Sequence, residues 1–397
     1  MKGKRVQSIC VIFFLVLAAT VTQAGAGIVT VDKNGGGNYS SIQEAVDNAQ
    51  NGDVILVNPG IYQENVVVDK ELTILSNSVS SENQLNRAYV IGVIPEGQVF
   101  SVNASNVTVS GFYISGGYSA TADPDDIGIL LAGVKNCSLS ENTLVLNNIG
   151  VGLYNSQGNY IGNNSMIGPG SGIVLVGSTE NILSNNLAVT DGNSEGIGIL
   201  LNSSTNNTLV NNTARSDLIG IYLDVSEGNS LLYNIASSNA DGIGIGLNSS
   251  NSNFVMNNIA KANKLGIMLD TSDRNTIADN LVSKNDIGIF GDMAGLNTLS
   301  NNSLYLNGIG MGLSGSSSNN TIYKNRFINL INAMDKGTNL WNSSSEGNAW
   351  NNYTGADADG NGIGDTPYVV NETTGSIDYF PTSVDNFSAI SSEIENW

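Results

Sequence analysis

The residues best placed to do chemistry stand in one recurring position. The fifth residue of each Gly-Ile-x-Leu-like element reads Tyr154, Val176, Asn202, Asp224, Asn248, Asp270, Asp292 and Ser314. With equivalent positions stacked, Asp270 and Asp292 lie about 5 Å apart. That spacing suits paired carboxylates in glycoside chemistry, or two ligands of one calcium, with Asp224 as a further acidic candidate. Beside them, outward Tyr222, Met268 and Phe290 offer a stacking surface, and Tyr222 and Phe290 are the candidate sugar contacts. The plainer account is that Asp and Asn at a chain corner close Asx turns, and that lone outward aromatics are ordinary surface.

A second acidic run lies near the C-terminus. Asp357, Asp359, Asn361, Gly362 and Asp365 match positions 1, 3, 5, 6 and 9 of a calcium loop. Position 12 is Tyr368 rather than the bidentate Glu, which excludes a full EF-hand. Calcium is the one cofactor this chain suggests, and a self-solvating Asp/Gly turn is the alternative.

What positions the acidic column is a repeat. An Asn recurs at Asn142, Asn164, Asn186, Asn212, Asn234, Asn258, Asn280, Asn302 and Asn325, in steps of 22 to 26 residues. Three residues before each stands an aliphatic, from Leu139 and Ile161 to Leu299 and Ile322. A glycine register runs alongside through Gly150, Gly172, Gly198, Gly220, Gly244, Gly266, Gly288 and Gly310, within alternating stretches such as Ile243-Gly-Ile245-Gly-Leu247. Period-two alternation in a unit of 22 residues, with no helical stretch, predicts an all-β solenoid. Coils of this length stack as a single-stranded right-handed parallel β-helix, about 4.8 Å per coil. The Asn column reads as a side-chain amide ladder and the glycines as a backbone requirement.

Around the regular coils (137–340) the chain changes character. Residues 1–26 read as a signal peptide: Lys2, Lys4 and Arg5 precede the apolar run Ile9–Ala19, then small residues. No second apolar segment suggests a membrane anchor. In the N-terminal cap (28–75), Ser41 and Glu44 stand at capping-box spacing, and Ile42, Ala45, Val46 and Ala49 share one face of a short capping helix ended by Asn51-Gly52. Strands are expected at Val54–Val57, Val66–Val68 and Leu72–Leu75, and less regular coils over 76–136. An aromatic-rich C-terminal cap (341–381) and a loose tail (382–397) follow. Cys10 leaves with the signal and Cys137 remains alone, so stacking and not disulfides must hold the rod. Loss of Lys2, Lys4 and Arg5 takes the formal charge from −20 to −23, which argues against nucleic acid and anionic surfaces. Fifteen Asn-x-Ser/Thr triplets are glycosylation candidates in a secreted chain.

Together these residues resemble a known group. The repeat "NNTxxxN…GIxL…SSNN" resembles the NosD-like, carbohydrate-binding-and-sugar-hydrolase type of β-helix repeat. "YSSIQEAVDNAQNGDVILVNPGIYQENVVV" resembles the cap and first coils of pectin-lyase-like folds. "NAWNNYTGADADGNGIGDTPYVV" followed by "DYFP" is similar to the tail of NosD-like surface proteins. The resemblance covers residues 28–381 and implies a pectin-lyase-like fold at a cell surface. It speaks less to function, since that fold hosts lyases, hydrolases, epimerases, adhesins and accessory proteins.

The absence of His removes the common general base and zinc ligand. Asp123-Pro124-Asp125-Asp126 echoes an epimerase Asp-Pro-His element with Asp where His should stand. Arg215, Arg274 and Arg326 form no recognisable lyase cluster, and Phe290-Gly291-Asp292 has the wrong context for an esterase. Copper handling lacks soft ligands, with one Cys and scattered Met. Two readings follow: a secreted or surface β-helix binding glycans, envelope components or neighbouring surface-layer proteins, or a calcium-assisted lyase, hydrolase or epimerase at Asp224, Asp270 and Asp292. Coil turns of near-uniform length over 137–339 leave no long insertion to wall a cleft, which favours binding.

Overall fold

The computed structural model describes residues 26–77, 86–93, 97–116, 126–168, 170–190, 196–215, 218–237 and 241–384. Residues 1–25 of the expected signal peptide, Asp123 and Asp125, and residues 385–397 lie outside them.

Each turn of the chain lays down three short strands, which build three parallel sheets of 14, 12 and 14 strands. The first sheet runs from Ile28–Val31 to Thr338–Leu340, the second from Val66–Val68 to Ile331–Asp335, and the third from Gly60–Gln63 to Thr382–Ser383. This is the right-handed parallel β-helix that the repeat predicts. Ile221, Ile245 and Ile267 pair in register and are fully buried. So are the aliphatics three before each Asn, Leu139 through Ile322. Each buried Leu or Ile contributes about 1.5–3 kcal/mol relative to exposure, and the columns make one continuous core.

The glycine register follows from the narrowness of that core. A Cβ added at Gly198 would stand 2.5 Å from the Gly220 carbonyl oxygen and 2.9 Å from the Ala214 Cβ. At Gly172 it would meet Gly198 O at 2.5 Å and Ala188 Cβ at 2.6 Å. The facing third-sheet column is correspondingly small, Ala188, Ala214, Ala236 and Ala260 pairing coil by coil.

The Asn column is a ladder. Asn164 Nδ2 donates to Asn186 Oδ1 at 3.1 Å and to Leu139 O at 2.9 Å, while the Asn164 backbone N–H donates to the same Asn186 Oδ1 at 3.0 Å. The pattern recurs from Asn142 to Asn325 and ends on Asn348. Just before each ladder Asn the chain turns through the left-handed region, as at Asn163, Asn185, Asn211, Tyr233 and Asn257. The turn swings the amide inward, where its bonds replace those the bent backbone cannot make. The expected ladder is one of several. Asn159, Asn181, Asn207, Asn229, Asn253, Asn275, Asn297, Asn320 and Asn339 form a second. A serine ladder runs from Ser156 to Ser272 beside it, on the same connection from the second sheet to the first.

The capping helix is Ile42–Asn48, ending before the expected Asn51-Gly52 because Ala49 is already extended. Ser41 Oγ accepts from Glu44 N as the capping box requires, but Glu64 from the next coil supplies the second carboxylate, accepting from Ser41 Oγ, Ile42 N and Gln43 N. An unforeseen strand, Gly60–Gln63, starts the third sheet directly after Pro59. At the other end Phe327, Trp350 and Tyr368 stack at centroid distances of 4.4 and 4.1 Å. Two buried carboxylates fasten this plug: Asp335 accepts from Trp341 Nε1 at 2.8 Å, and Asp378 from Trp350 Nε1 at 2.9 Å. The strand Thr382–Ser383 pairs with Ala349–Trp350, so the third sheet extends past the boundary expected at 381.

Candidate functional site

The outer face of the second sheet carries the acidic column in register. Asn202 pairs with Asp224, Asp224 with Asn248, Asn248 with Asp270, and Asp270 with Asp292. Asp270 and Asp292 are therefore neighbours, as the repeat predicts, whereas an Asn separates Asp224 from Asp270. All five are partly exposed. Asn248 Nδ2 donates to Asp224 Oδ1 at 2.7 Å and Asn202 Nδ2 to Asp224 Oδ2 at 3.4 Å, so Asp224 is held between two amides. Asp270 Oδ1 accepts from Thr271 Oγ1 at 3.0 Å.

Two residues before the column, Tyr222, Gly246, Met268, Phe290 and Gly312 form a second outward row. A Cβ on Gly246 would stand 2.7 Å from Tyr222 Cδ2, and one on Gly312 would stand 3.6 Å from Phe290 Cδ2. Each ring thus reaches over the glycine of the next coil and lies along the sheet. Burial raises the Tyr222 hydroxyl above its ordinary value, and the charges of Asp224 and Asp270 push the same way. The phenol stays protonated at neutral pH and is a hydrogen-bond donor on this face, not a base.

None of Arg215, Arg274 and Arg326 joins the column. Arg215 ends the third-sheet strand Thr213–Arg215, Arg326 opens Arg326–Ile328, and Arg274 occupies a left-handed corner before the first sheet. The second-sheet strands from Ile127 to Asp335 contain neither Lys nor Arg.

In the C-terminal loop the oxygens turn onto their own backbone. Asp357 accepts from Asn361 N at 3.0 Å and Gly362 N at 2.8 Å, Asp359 from Asn361 N at 3.1 Å, Asn361 Oδ1 from Ile363 N at 2.7 Å, and Asp365 from Ala358 N at 2.8 Å. Those N–H donors, first that of Gly362, hold the Asp357 carboxyl below the usual range. Gly360 and Gly362 supply the positive φ that the turn needs. Among the described residues no three acidic, His or Cys side chains converge as a metal site would.

One surface feature escaped the sequence reading. On the third sheet, Tyr233, Ile235, Ile259 and Leu281, with Asn211 and Asp279 at the rim, line a shallow groove of about 480 Å³. Its signal was available, since along the first ladder, Asn142 to Asn325, the residue after the Asn turns aliphatic only at Leu187, Ile235, Ile259 and Leu281.

Residues 46–240 and 198–355 match the family described as periplasmic copper-binding protein (NosD). The chain belongs to the NosD family. A cell surface glycoprotein of Methanothermus fervidus is 33% identical over 108 residues, which is 27% of this chain and 16% of that protein. Among solved structures, DFA-IIIase from Arthrobacter chlorophenolicus A6 without its lid superposes with a TM-score of 0.63 at 16% identity, over 80% of this chain and 98% of that one. The Yersinia enterocolitica family 28 exopolygalacturonase gives 0.50 at 13% identity, over 83% and 79%. Such identities establish the pectin-lyase-like fold alone.

The copper in the NosD family's description finds no matching donor set here. The chain has no His. Cys137 is buried with its Sγ 3.4 Å from Ala104 O, and burial raises its thiol. Among the strand methionines, Met166 pairs with Leu144 and Ala188, Met256 with Leu232 and Ala278, Met268 with Gly246 and Phe290, Met311 with Ile289 and Ala333, and Met334 with Gly312, so none meets a second thioether across its ladder. These donors do not fit copper.

Proposed function

We propose that this NosD-family protein is an envelope or cell-surface β-helix that binds glycan without breaking it, along the outer face of the second sheet. The observation that carries this reading is the pairing of two rows on one flat face. Tyr222 and Phe290 present ring surface over glycines, and the Asn/Asp column beside them supplies acceptors and amide donors one coil apart. A sugar stacks its C–H face on the rings and directs hydroxyls to the column. The lack of Lys and Arg in the strands favours a neutral or amino-bearing glycan over a polyuronate. The surface location draws support from the M. fervidus relative and from the family's periplasmic description.

The Asp357–Asp365 loop is the proposed calcium site. Calcium there would take Asp357, Asp359, Asn361 and Asp365 oxygens in exchange for the backbone N–H bonds they now accept. Calorimetric titration of the protein and of Asp359→Asn tests this: heat lost in the variant supports the site, and no heat in either dismisses it.

A glycan-array screen with and without calcium, followed by product analysis on each hit, tests the binding reading. Retention of intact glycan, lost in a Tyr222→Ala/Phe290→Ala variant, is the expected result. The in-register Asp270–Asp292 pair is the one observation that favours a polysaccharide lyase, hydrolase or epimerase. Unsaturated, shortened or epimerised product that disappears in Asp270→Asn would replace binding with catalysis.

A further inference from the structure

The coil corners sort the Asn-x-Ser/Thr triplets by geometry, and we propose that five of them, Asn163, Asn206, Asn211, Asn301 and Asn319, are the chain's N-glycosylation sites. At each the fold fixes three consecutive roles. The first Asn occupies the left-handed corner and is exposed. The second residue is a ladder Asn turned into the core: Asn164, Asn207, Asn212, Asn302 or Asn320. The third is the next outward residue, half-exposed in each case: Ser165, Thr208, Thr213 and Ser303 each open a strand, and Thr321 lies within the strand Ser318–Tyr323. The inward turn of the middle residue leaves an outward carboxamide and an outward hydroxyl on one edge of the rod, the pair an oligosaccharyltransferase must engage together. Asn is favoured at the corner because its short polar side chain tolerates positive φ, so the same requirement that bends the chain creates the acceptor.

Elsewhere one of the two groups is taken. At Asn202 and Asn248 the third residue is Ser204 or Ser250, fully buried in the serine ladder. There Ser204 Oγ donates to Asn202 O at 2.9 Å and accepts from Ser178 N at 3.1 Å, and Ser250 Oγ donates to Asn248 O at 2.7 Å and accepts from Ser226 N at 3.0 Å. In the C-terminal cap the carboxamides are engaged: Asn342 Nδ2 donates to Ser343 O, Asn371 Nδ2 to Asp335 O, and Asn352 Oδ1 accepts from Asn332 Nδ2. Asn106 Nδ2 donates to Glu71 and Asn136 Nδ2 to Asn106. Asn38 and Asn103 Oδ1 accept from Thr30 and Ser101, and Asn386 lies outside the described residues.

In the transfer, the Asn Nδ2 forms a bond to the anomeric carbon of a lipid-diphosphate-linked oligosaccharide. The anomeric C–O bond breaks, the lipid diphosphate leaves with its electron pair, and the amide gives up one proton. No oxidant or reductant is needed.

The folded protein and its urea-unfolded form, each presented to a single-subunit oligosaccharyltransferase with a lipid-diphosphate oligosaccharide and mapped by glycopeptide mass spectrometry, test the proposal. Because urea also weakens the transferase, the unfolded chain is diluted from denaturant directly into the reaction. Modification of the folded protein at the five corners, with Asn202 and Asn248 added only from the unfolded chain, is the expected pattern. Thr213→Ala should lose modification at Asn211 alone and Thr213→Ser should retain it. Bare corners on the folded protein, or Asn202 and Asn248 modified there as readily as the corners, would overturn it.

Discussion

Two columns of Asn and Asp climb this rod with the same spacing and meet opposite fates. Along the interior ladder the residue type hardly varies, every amide is buried, and each makes the same bonds to the coils above and below. Along the outer edge of the second sheet the type wanders from Tyr154 through Asp224 and Asp292 to Ser314, exposure is partial, and bonding is irregular. The difference teaches how to read a repeat. Where turning the chain strands backbone groups away from water, only one side chain completes the set, and the repeat becomes monotonous. Where the side chain faces solvent, nothing local fixes it, and that freedom is available for recognition.

The comparison is most sharply broken inside the ladder. Asn234→Leu removes the acceptor of Asn212 N and Asn212 Nδ2 and the donor to Leu209 O. With several buried groups stranded at about 1–3 kcal/mol each, the expected loss is on the order of 3–6 kcal/mol, read from urea unfolding. Gly198→Ala should cost about 1–3 kcal/mol by overpacking, since its Cβ meets the Gly220 carbonyl oxygen at 2.5 Å, and a lowered denaturation midpoint would register it.

Asp378 tests a buried carboxylate instead of an amide. Burial raises its carboxyl above the ordinary range, outweighing the N–H donors of Asn348, Trp350 and Phe380. A carboxyl raised on folding binds its proton more tightly in the folded chain. Its contribution is therefore full below the unfolded value of about 3.9 and is lost as pH rises through the folded value. Asp378→Asn should flatten that part of the stability–pH curve, at an expected cost of about 1–3 kcal/mol from mismatched donors. Midpoints measured across the acid range decide it. The smallest stability effect belongs outside: Asp270→Asn with Asp292→Asn should leave stability within about 0.5 kcal/mol while reducing retention on any glycan the protein binds. A large loss of stability there would erase the distinction between the columns.

Period and burial were legible because they repeat. The aliphatic before each Asn, the Asn itself and the glycine register each announce their role many times over, and all three stand in the fold where the sequence implies. The second ladder, Asn159 to Asn339, carries the same periodic signal as the first. The caps were less legible because they occur once and depend on distant partners. Glu64 reaches back to Ser41 across a coil, and Asp378 serves Trp350 from 28 residues away. No local pattern encodes such pairs. Adjacency of Asp270 and Asp292 followed from the period alone, but the amide clamp on Asp224 and the rings lying over Gly246 and Gly312 depend on side-chain conformers that spacing does not determine.

Each rung of the ladder converses only with its immediate neighbours, so no residue carries information about how tall the molecule is. Excising one whole 22-residue unit brings the same ladder residue into contact across the seam, and the two dissimilar closures at the ends remain untouched. Height is thus an independent variable in this architecture, adjustable in increments of one sheet spacing, and whatever the protein must reach across can be matched by counting units instead of redesigning them.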